Sequence, residues 1–64
     1  MSKPYVVSID GDSHFYATFA EAMYALEKAL VTRPHAFVSL GNWDKADYDF
    51  DGLTADERHA VSDL

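Results

Sequence analysis

The sequence predicts an α+β domain in which one antiparallel sheet of three or four strands packs on one main helix, in the order β-β-α-β-β-α. Three observations lead to this prediction. Short runs of β-branched and aromatic residues are separated by turns that contain glycine, one longer segment has apolar residues at helical spacing, and a second helix start lies near the C-terminus. The 64 residues (1–64) are expected to form a single domain, since one core can serve a much longer chain.

The first two strands are predicted to form a hairpin. Residues 5–9 (Tyr-Val-Val-Ser-Ile) are of the types enriched in strands, and residues 14–17 return as the second strand. Residues 10–13 (Asp-Gly-Asp-Ser) have the composition of a turn, because glycine adopts positive φ and the Asp and Ser side chains bond to nearby backbone.

The main helix is predicted to begin at Thr18, which stands three residues before Glu21 as in a capping box. It should end at Arg33, because the residue before a proline is pushed out of the α region. Apolar residues recur between these points at the 3.6-residue spacing of a helix that buries one face. This stripe consists of Phe19, Ala22, Met23, Leu26, Ala29 and Leu30.

Residues 36–40 (Ala-Phe-Val-Ser-Leu) predict a third strand, and a turn follows from Gly41 to Lys45. Residues 46–51 (Ala-Asp-Tyr-Asp-Phe-Asp) alternate strictly between charged and apolar or aromatic side chains. As a fourth strand, this segment would place three aspartates on one face and two aromatic rings on the other.

A second capping-box pattern, Thr54 with Glu57, predicts a short C-terminal helix with Val61 and Leu64 on its apolar side. With 48% hydrophobic residues the chain can build a core, although a domain of this size is expected to be stable by only about 3–5 kcal/mol. No cysteine is present, which excludes disulfides, zinc–thiolate sites, iron–sulfur clusters and thiol catalysis.

No segment approaches the roughly 18–20 consecutive apolar residues of a membrane helix. Residues 1–4 lead into the first strand without a basic or apolar leader pattern, so we expect a cytoplasmic protein without a membrane partner. The net charge of −6 argues against direct binding of nucleic acid through its phosphates. Most of this charge lies in residues 43–64, which carry seven acidic residues against two basic ones.

The alternating segment 46–51 has three interpretations. The first is a solvated edge strand whose charges prevent pairing with other sheets. The second is a calcium loop, and the third is a binding face. For calcium, Asp47, Asp49, Asp51 and Gly52 match the first ligand positions of an EF-hand loop, but its twelfth position is Arg58 instead of a glutamate. An off-pattern calcium site therefore stays open, and no metal or other cofactor is otherwise expected.

As a binding face, the segment would imitate a run of phosphates. Carboxylates on one face of a strand are about 6.6–6.8 Å apart, and two steps along one DNA strand also cover about 6.8 Å. The target would be the basic groove of a nucleic-acid-binding protein, with a Trp or Tyr as anchor, since these residues are enriched in binding hot spots. The candidate partner-binding residues are Asp44, Asp47, Asp49, Asp51, Asp56, Glu57, Trp43 and Tyr48.

Other combinations of reactive residue types are weaker candidates. Asp12, Ser13 and His14 are adjacent, and neighbours along a strand point apart, so they cannot form a catalytic relay. The three histidines, His14, His35 and His59, lack the spacing of metal ligands on one helix. We therefore expect a protein that is not an enzyme.

In size, acidity, lack of cysteine and α+β layout, the whole chain resembles the small inhibitors that bacteriophages encode against host defences, including anti-CRISPR proteins. This resemblance implies an inhibitor whose acidic face occupies the nucleic-acid-binding surface of a basic protein or complex, such as a CRISPR effector subunit. It also implies that the inhibitor acts in the cytoplasm of a bacterial host. The expected inhibitor binds no nucleic acid itself and is a monomer.

Roughly the first thirty residues resemble the opening of HicB-type antitoxin domains. The resemblance rests on the order strand, Asp-Gly-Asp turn, strand and then the segment TFAEAMYALEKAL. It implies an alternative function, an antitoxin-like or homodimeric assembly module that uses an apolar face. Residues such as Tyr24 or Phe50 would build that face.

Overall fold

A hairpin, a crossover helix and a third strand make up most of the fold. The computed structural model describes residues 3–46 and 51–64. Within these ranges it confirms the α+β class, with a three-stranded antiparallel sheet, a main helix and a second helix. The elements are β1 (Tyr5–Ile9), β2 (Asp12–Tyr16), α1 (Phe19–Thr32), β3 (Val38–Asn42) and α2 (Ala55–Ser62).

The strand order is β2-β1-β3, and β1 pairs antiparallel with both of its neighbours. The two outer strands therefore run parallel to each other, and α1 is the crossover connection between them. Around the centre of β1, Val7 lies opposite His14 on one side and opposite Leu40 on the other. β2 and β3 form the two outer edges of the sheet, which lie at opposite ends of it.

The hairpin turn is shorter than the sequence predicts. It consists of Asp10 and Gly11 alone, with φ values of 51° and 91°, and Ile9 pairs directly with Asp12. Two consecutive residues with positive φ are typical of a type I′ turn, whose twist matches that of the two strands. The predicted four-residue turn was therefore wrong in length, because Asp12 and Ser13 already belong to β2.

The third strand is displaced by two residues from its predicted range of 36–40. The backbone of Phe37 is bonded to Asp10, which donates its N–H to the Phe37 carbonyl (2.8 Å) and accepts from the Phe37 N–H through Oδ1 (3.0 Å). Regular pairing then starts with Val38 and continues through Gly41 and Asn42, which were predicted to lie in the turn. The register between β1 and β3 sets these limits, and local composition alone does not determine that register.

The core lies between one face of the sheet and α1. Its buried members come from β1, from β3, from the segment before α2 and from α1, and the predicted apolar stripe is confirmed in full as buried or half-buried. The helix starts after Thr18, whose hydroxyl accepts from the Glu21 N–H, and its C-cap is Arg33. The buried cluster consists of Val7, Ala22, Leu26, Leu40 and Leu53.

The short helix α2 forms as predicted behind a complete capping box at Thr54 and Glu57. Val61 packs against the core, which confirms its predicted side. Leu64 does not, because the helix ends at Ser62 and the terminal leucine is 46% exposed.

Residues 47–50 of the predicted fourth strand lie outside the described residues. Its two ends, Ala46 and Asp51, are described and belong to no strand. Neither helix within residues 3–46 and 51–64 has the length and apolar character needed to traverse a bilayer.

Candidate functional site

A backbone junction at the outer edge of β3 joins the two described parts of the predicted acidic face. The N–H of Asn42 donates to the Asp51 carbonyl at 2.7 Å, so the chain that leaves the sheet after β3 returns to it. Gly52 follows with φ of 81° and lies against the turn formed by Trp43, Asp44 and Lys45. The junction thus holds the described parts of this face, the turn and the start of α2, next to each other.

Trp43 is held in a defined orientation while half of its side chain stays exposed. Its indole Nε1–H donates to the Lys3 carbonyl at 2.8 Å, and its backbone N–H donates to the Pro4 carbonyl at 2.9 Å. The ring meets Phe15 edge to face, with 6.4 Å between centroids and 86° between planes. An aromatic side chain that is fixed before binding loses little entropy on docking, which suits the role of anchor.

The carboxylates around the junction divide into exposed and engaged groups. Asp44 and Asp56 are exposed, the first in the turn and the second in the first turn of α2. Asp51 is engaged, since its Oδ1 accepts from the Leu53 N–H at 3.0 Å and lies 3.5 Å from Nη2 of Arg58. An engaged carboxylate still contributes to the negative electrostatic potential of the surface. Its contact with a partner, however, would compete with the hydrogen bonds that it already accepts.

Glu57 is the most constrained of the predicted binding residues. Its Oε2 accepts from the Tyr5 hydroxyl at 2.6 Å, and its Oε1 accepts from the Thr54 N–H at 2.9 Å. Partial burial alone would raise the pKa of the Glu57 carboxyl, but the bonds from Tyr5 and Thr54, together with the charge of Lys45, hold this pKa below its usual value. The same bond, partial burial and the negative charge of Glu57 raise the pKa of Tyr5. Glu57 therefore fastens α2 to β1.

These shifts predict how stability depends on pH. Because the pKa of Glu57 is lowered in the folded state, its contribution is complete above about pH 4.3 and is lost as the pH falls through the lowered value. Because the pKa of Tyr5 is raised, its contribution is complete below about pH 10 and is lost as the pH rises through the raised value. Between these limits the pair should stabilise the fold evenly.

We expect Tyr5→Phe to cost about 1–2 kcal/mol at pH 7, the range of a hydrogen bond to a charged group that is only partly buried. The variant should also lose the alkaline decline and show a smaller acid one. Urea unfolding followed by circular dichroism at acid, neutral and alkaline pH measures these changes. Tyr24→Phe is the control, since Tyr24 is 67% exposed and should change stability by less than about 0.5 kcal/mol. Equal stabilities for the two variants would contradict the assignment.

Asp47, Tyr48 and Asp49 lie outside the described residues, so their part in the face stays a prediction. The same holds for the 6.6–6.8 Å spacing, which presumes an extended strand. For calcium, Arg58 at the twelfth position forms an ion pair with Asp51, one of the predicted ligands. Over residues 3–46 and 51–64, no group of three or more ligand-type side chains is placed to hold a metal ion.

The sequence did not indicate that one face of the sheet has neither of the two described helices against it. Register places Val6 beside Phe15 and Gly41 on the side of β1 opposite to Val7, whereas α1 packs on the Val7 side. The side chain of Phe15 is 49% exposed on this open face, and that of Trp43, which contacts it, is 53% exposed. The alternation of side chains along each strand identifies this open face only when the pairing of all three strands is known.

Comparison with known proteins assigns the chain to no family. No family model matches the sequence, and neither the curated proteins nor the solved structures contain a significant match.

Proposed function

We propose that the chain is a non-enzymatic inhibitor that docks on the basic surface of a nucleic-acid-binding protein through an acidic face. This face comprises the turn after β3, the predicted acidic segment 47–51 and the first turn of α2. Its expected setting is the cytoplasm of a bacterial host, and its partner uses the same basic surface to hold nucleic-acid phosphates. The observation that carries the proposal is the junction of Asn42 with Asp51, which gathers both described parts of the face beside the half-exposed Trp43.

Charge and anchoring support the proposal together. The exposed carboxylates of Asp44 and Asp56 lie in a third of the chain that carries seven acidic and two basic residues, so their field is not neutralised locally. Such a field speeds the approach of a cationic surface and makes the association sensitive to salt. Trp43 adds an apolar contact in a fixed orientation. Binding by this face should therefore combine fast, salt-dependent association with one aromatic anchor.

The first test is an affinity pull-down from a bacterial lysate at low salt, followed by elution with a salt gradient and mass spectrometry. The expected result is a nucleic-acid-binding protein or complex that elutes at moderate salt and is displaced by added duplex DNA. Capture of nothing, or of a partner that neither salt nor DNA displaces, would contradict the proposal.

Charge reversal then locates the binding face. We expect the double variant Asp44→Lys/Asp56→Lys to bind the captured partner at least about tenfold more weakly, because both exposed carboxylates become repulsive. The double variant Glu27→Lys/Asp63→Lys is the matched control, since it makes the same change in net charge at exposed positions elsewhere. Binding constants are measured by titration calorimetry, and thermal melting verifies that both variants fold. Equal losses would show that only net charge matters.

Assembly through an apolar face is the second candidate function. It is favoured by the open face of the sheet, where Phe15 and Trp43 are half exposed, and by Phe37, which is 88% exposed immediately before β3. Exposed Tyr24, a predicted member of such a face, lies instead on α1, and Phe50 lies outside the described residues. Sedimentation at low and high salt separates the two functions, since apolar self-association would produce a dimer at both concentrations.

A further inference from the structure

A groove runs along the outer edge of β2. The predicted acidic face lies at the opposite edge of the sheet, beside β3. The floor of the groove is formed by the side chains of β2 that face the helix, and its wall is formed by α1. The half near the hairpin turn has a volume of about 430 Å³, and the half near the start of α1 about 550 Å³. Small alanine side chains at positions 20, 25 and 29 of the wall leave this space open.

The backbone of β2 has hydrogen-bonding groups that point away from the sheet. At the two ends of β1, the Asp10 N–H donates to the Phe37 carbonyl and the Pro4 carbonyl accepts from the Trp43 N–H. The backbone groups of the even positions of β1 therefore face β3, and those of the odd positions face β2. Register then directs the backbone groups of Asp12, His14 and Tyr16 toward β1. The N–H and C=O groups of Ser13 and Phe15 consequently face outward, which provides two donors and two acceptors at an edge that no described strand covers.

The groove has opposite character in its two halves. Near the hairpin, Lys28 of α1, its C-cap Arg33 and His14 of β2 line the space, with Asp12 as the one carboxylate in this half. Neither Lys28 nor Arg33 forms an ion pair within the described part of the chain. Near the start of α1, the rings of Tyr16 and Tyr24 and two alanines form a mostly apolar surface, which Glu21 and Lys28 also line. A cationic half is notable in a chain whose net charge is −6.

We infer that this edge and groove bind an extended peptide segment of another protein by adding it as a fourth, antiparallel strand beside β2. Peptides bind in this way at sheet edges, where main-chain bonds provide affinity and alternate side chains enter pockets. The segment would exchange two hydrogen bonds with Ser13 and two with Phe15. The site is distinct from the acidic face and does not depend on its function.

The two halves of the groove specify the side chains of the peptide. In an antiparallel strand, the peptide residue opposite Tyr16 comes two positions before the residue opposite His14, and both point into the groove. The first should be apolar, because it lies over Tyr16 and Tyr24. The second should be aspartate or glutamate, because it lies beside Lys28. The preferred segment is thus an apolar residue, any residue and an acidic residue.

The experiment titrates a capped nonapeptide of threonine, with isoleucine at its fourth position and glutamate at its sixth, into the isotope-labelled full chain. Amide NMR should show shifts centred on Ser13 and Phe15 and a dissociation constant below about 1 mM. Two control peptides carry lysine in place of the glutamate, or the isoleucine and glutamate exchanged. Each should bind at least about tenfold more weakly, a loss of about 1.4 kcal/mol. No shifts at several millimolar peptide, or shifts centred on another surface, would overturn the inference.

Variants of the chain test the two interactions separately. Ser13→Pro removes an outward N–H at an edge position where proline is tolerated, and should weaken binding of the glutamate peptide at least about tenfold. Lys28→Glu should reverse the preference between the glutamate and lysine peptides, and this exposed substitution tests the groove even if Ser13→Pro does not fold. Lys3→Glu, the same charge change outside the groove, should leave the preference intact. An unchanged preference in Lys28→Glu would overturn the inference.

Discussion

Gly52→Ala is expected to remove most of the stability of the domain. Gly52 has φ of 81°, a conformation that costs alanine about 1–2 kcal/mol. A Cβ at this position would also overlap the carbonyl oxygen of Asn42 and lie 2.9 Å from the Ala46 nitrogen and 3.0 Å from the Lys45 carbonyl carbon. These are backbone atoms of a closed turn, so relief requires the junction to open, and overpacking of this kind typically costs 1–3 kcal/mol more.

The total, about 2–5 kcal/mol, is comparable with the roughly 3–5 kcal/mol expected for a domain of this size. Gly11→Ala separates the two causes, because Gly11 has φ of 91° but nothing within 4 Å of its Cβ position. This control should therefore show only the backbone cost of about 1–2 kcal/mol. Urea unfolding and thermal melting measure both variants. Equal stabilities of the two alanine variants would contradict the expected steric overlap at Gly52.

The same substitution has a consequence for binding. The backbone bond between Asn42 and Asp51 brings the two described parts of the acidic face together, and Gly52 lies next to it. Opening the junction should weaken binding by that face even at temperatures where the core remains folded. The peptide groove at β2 lies at the other edge of the sheet, so its affinity should then change little.

Leu26→Ala is expected to cost about 2–5 kcal/mol, the range for truncating a large buried aliphatic side chain. Leu26 is 2% exposed and lies in the buried cluster with Val7, Leu40 and Leu53, where α1 covers the sheet. In a domain this small the few buried residues have no second layer to close over a cavity, so the loss approaches the entire stability. Urea unfolding at 25 °C should place the midpoint close to zero denaturant.

Val31→Ala is the matched control on the same helix. Val31 is 81% exposed, so removing its methyl groups leaves no cavity, and alanine has the higher helix propensity. The control should match or slightly exceed the stability of the parent chain. A loss at Val31 as large as that at Leu26 would mean that the exposed face of α1 is covered, for example by a second copy of the chain.

Local chemistry along the chain was sufficient to predict where both helices begin and where α1 ends. Thr18 and Thr54 cap helices because their hydroxyls lie three residues before a free N–H, and Arg33 ends α1 because a proline follows it. The apolar stripe of α1 repeats at the helical period, which identifies its buried face without knowledge of what it packs against. All of these signals act over a few residues, so a linear sequence contains them completely.

Part of the candidate site was predictable for the same reason, since charge excess is a property of composition. The sequence indicated that the acidic residues concentrate after residue 42 and that Trp43 accompanies them. It did not distinguish Asp44 and Asp56, which are exposed, from Asp51 and Glu57, whose oxygens already accept hydrogen bonds from the chain. The sequence presents all four as acidic residues of the same kind, and they differ only in the hydrogen bonds that the folded chain gives them.

Those partners depend on contacts between distant parts of the chain. Tyr5 and Glu57 are 52 residues apart, and they meet because the junction at Gly52 directs α2 back to the first strand. The two-residue displacement of β3, the open face of the sheet and the outward backbone groups of Ser13 and Phe15 likewise follow from how β1 pairs with both neighbours. Strand register is decided by packing of the whole sheet against α1, because a shift of one residue would move every side chain to the other face.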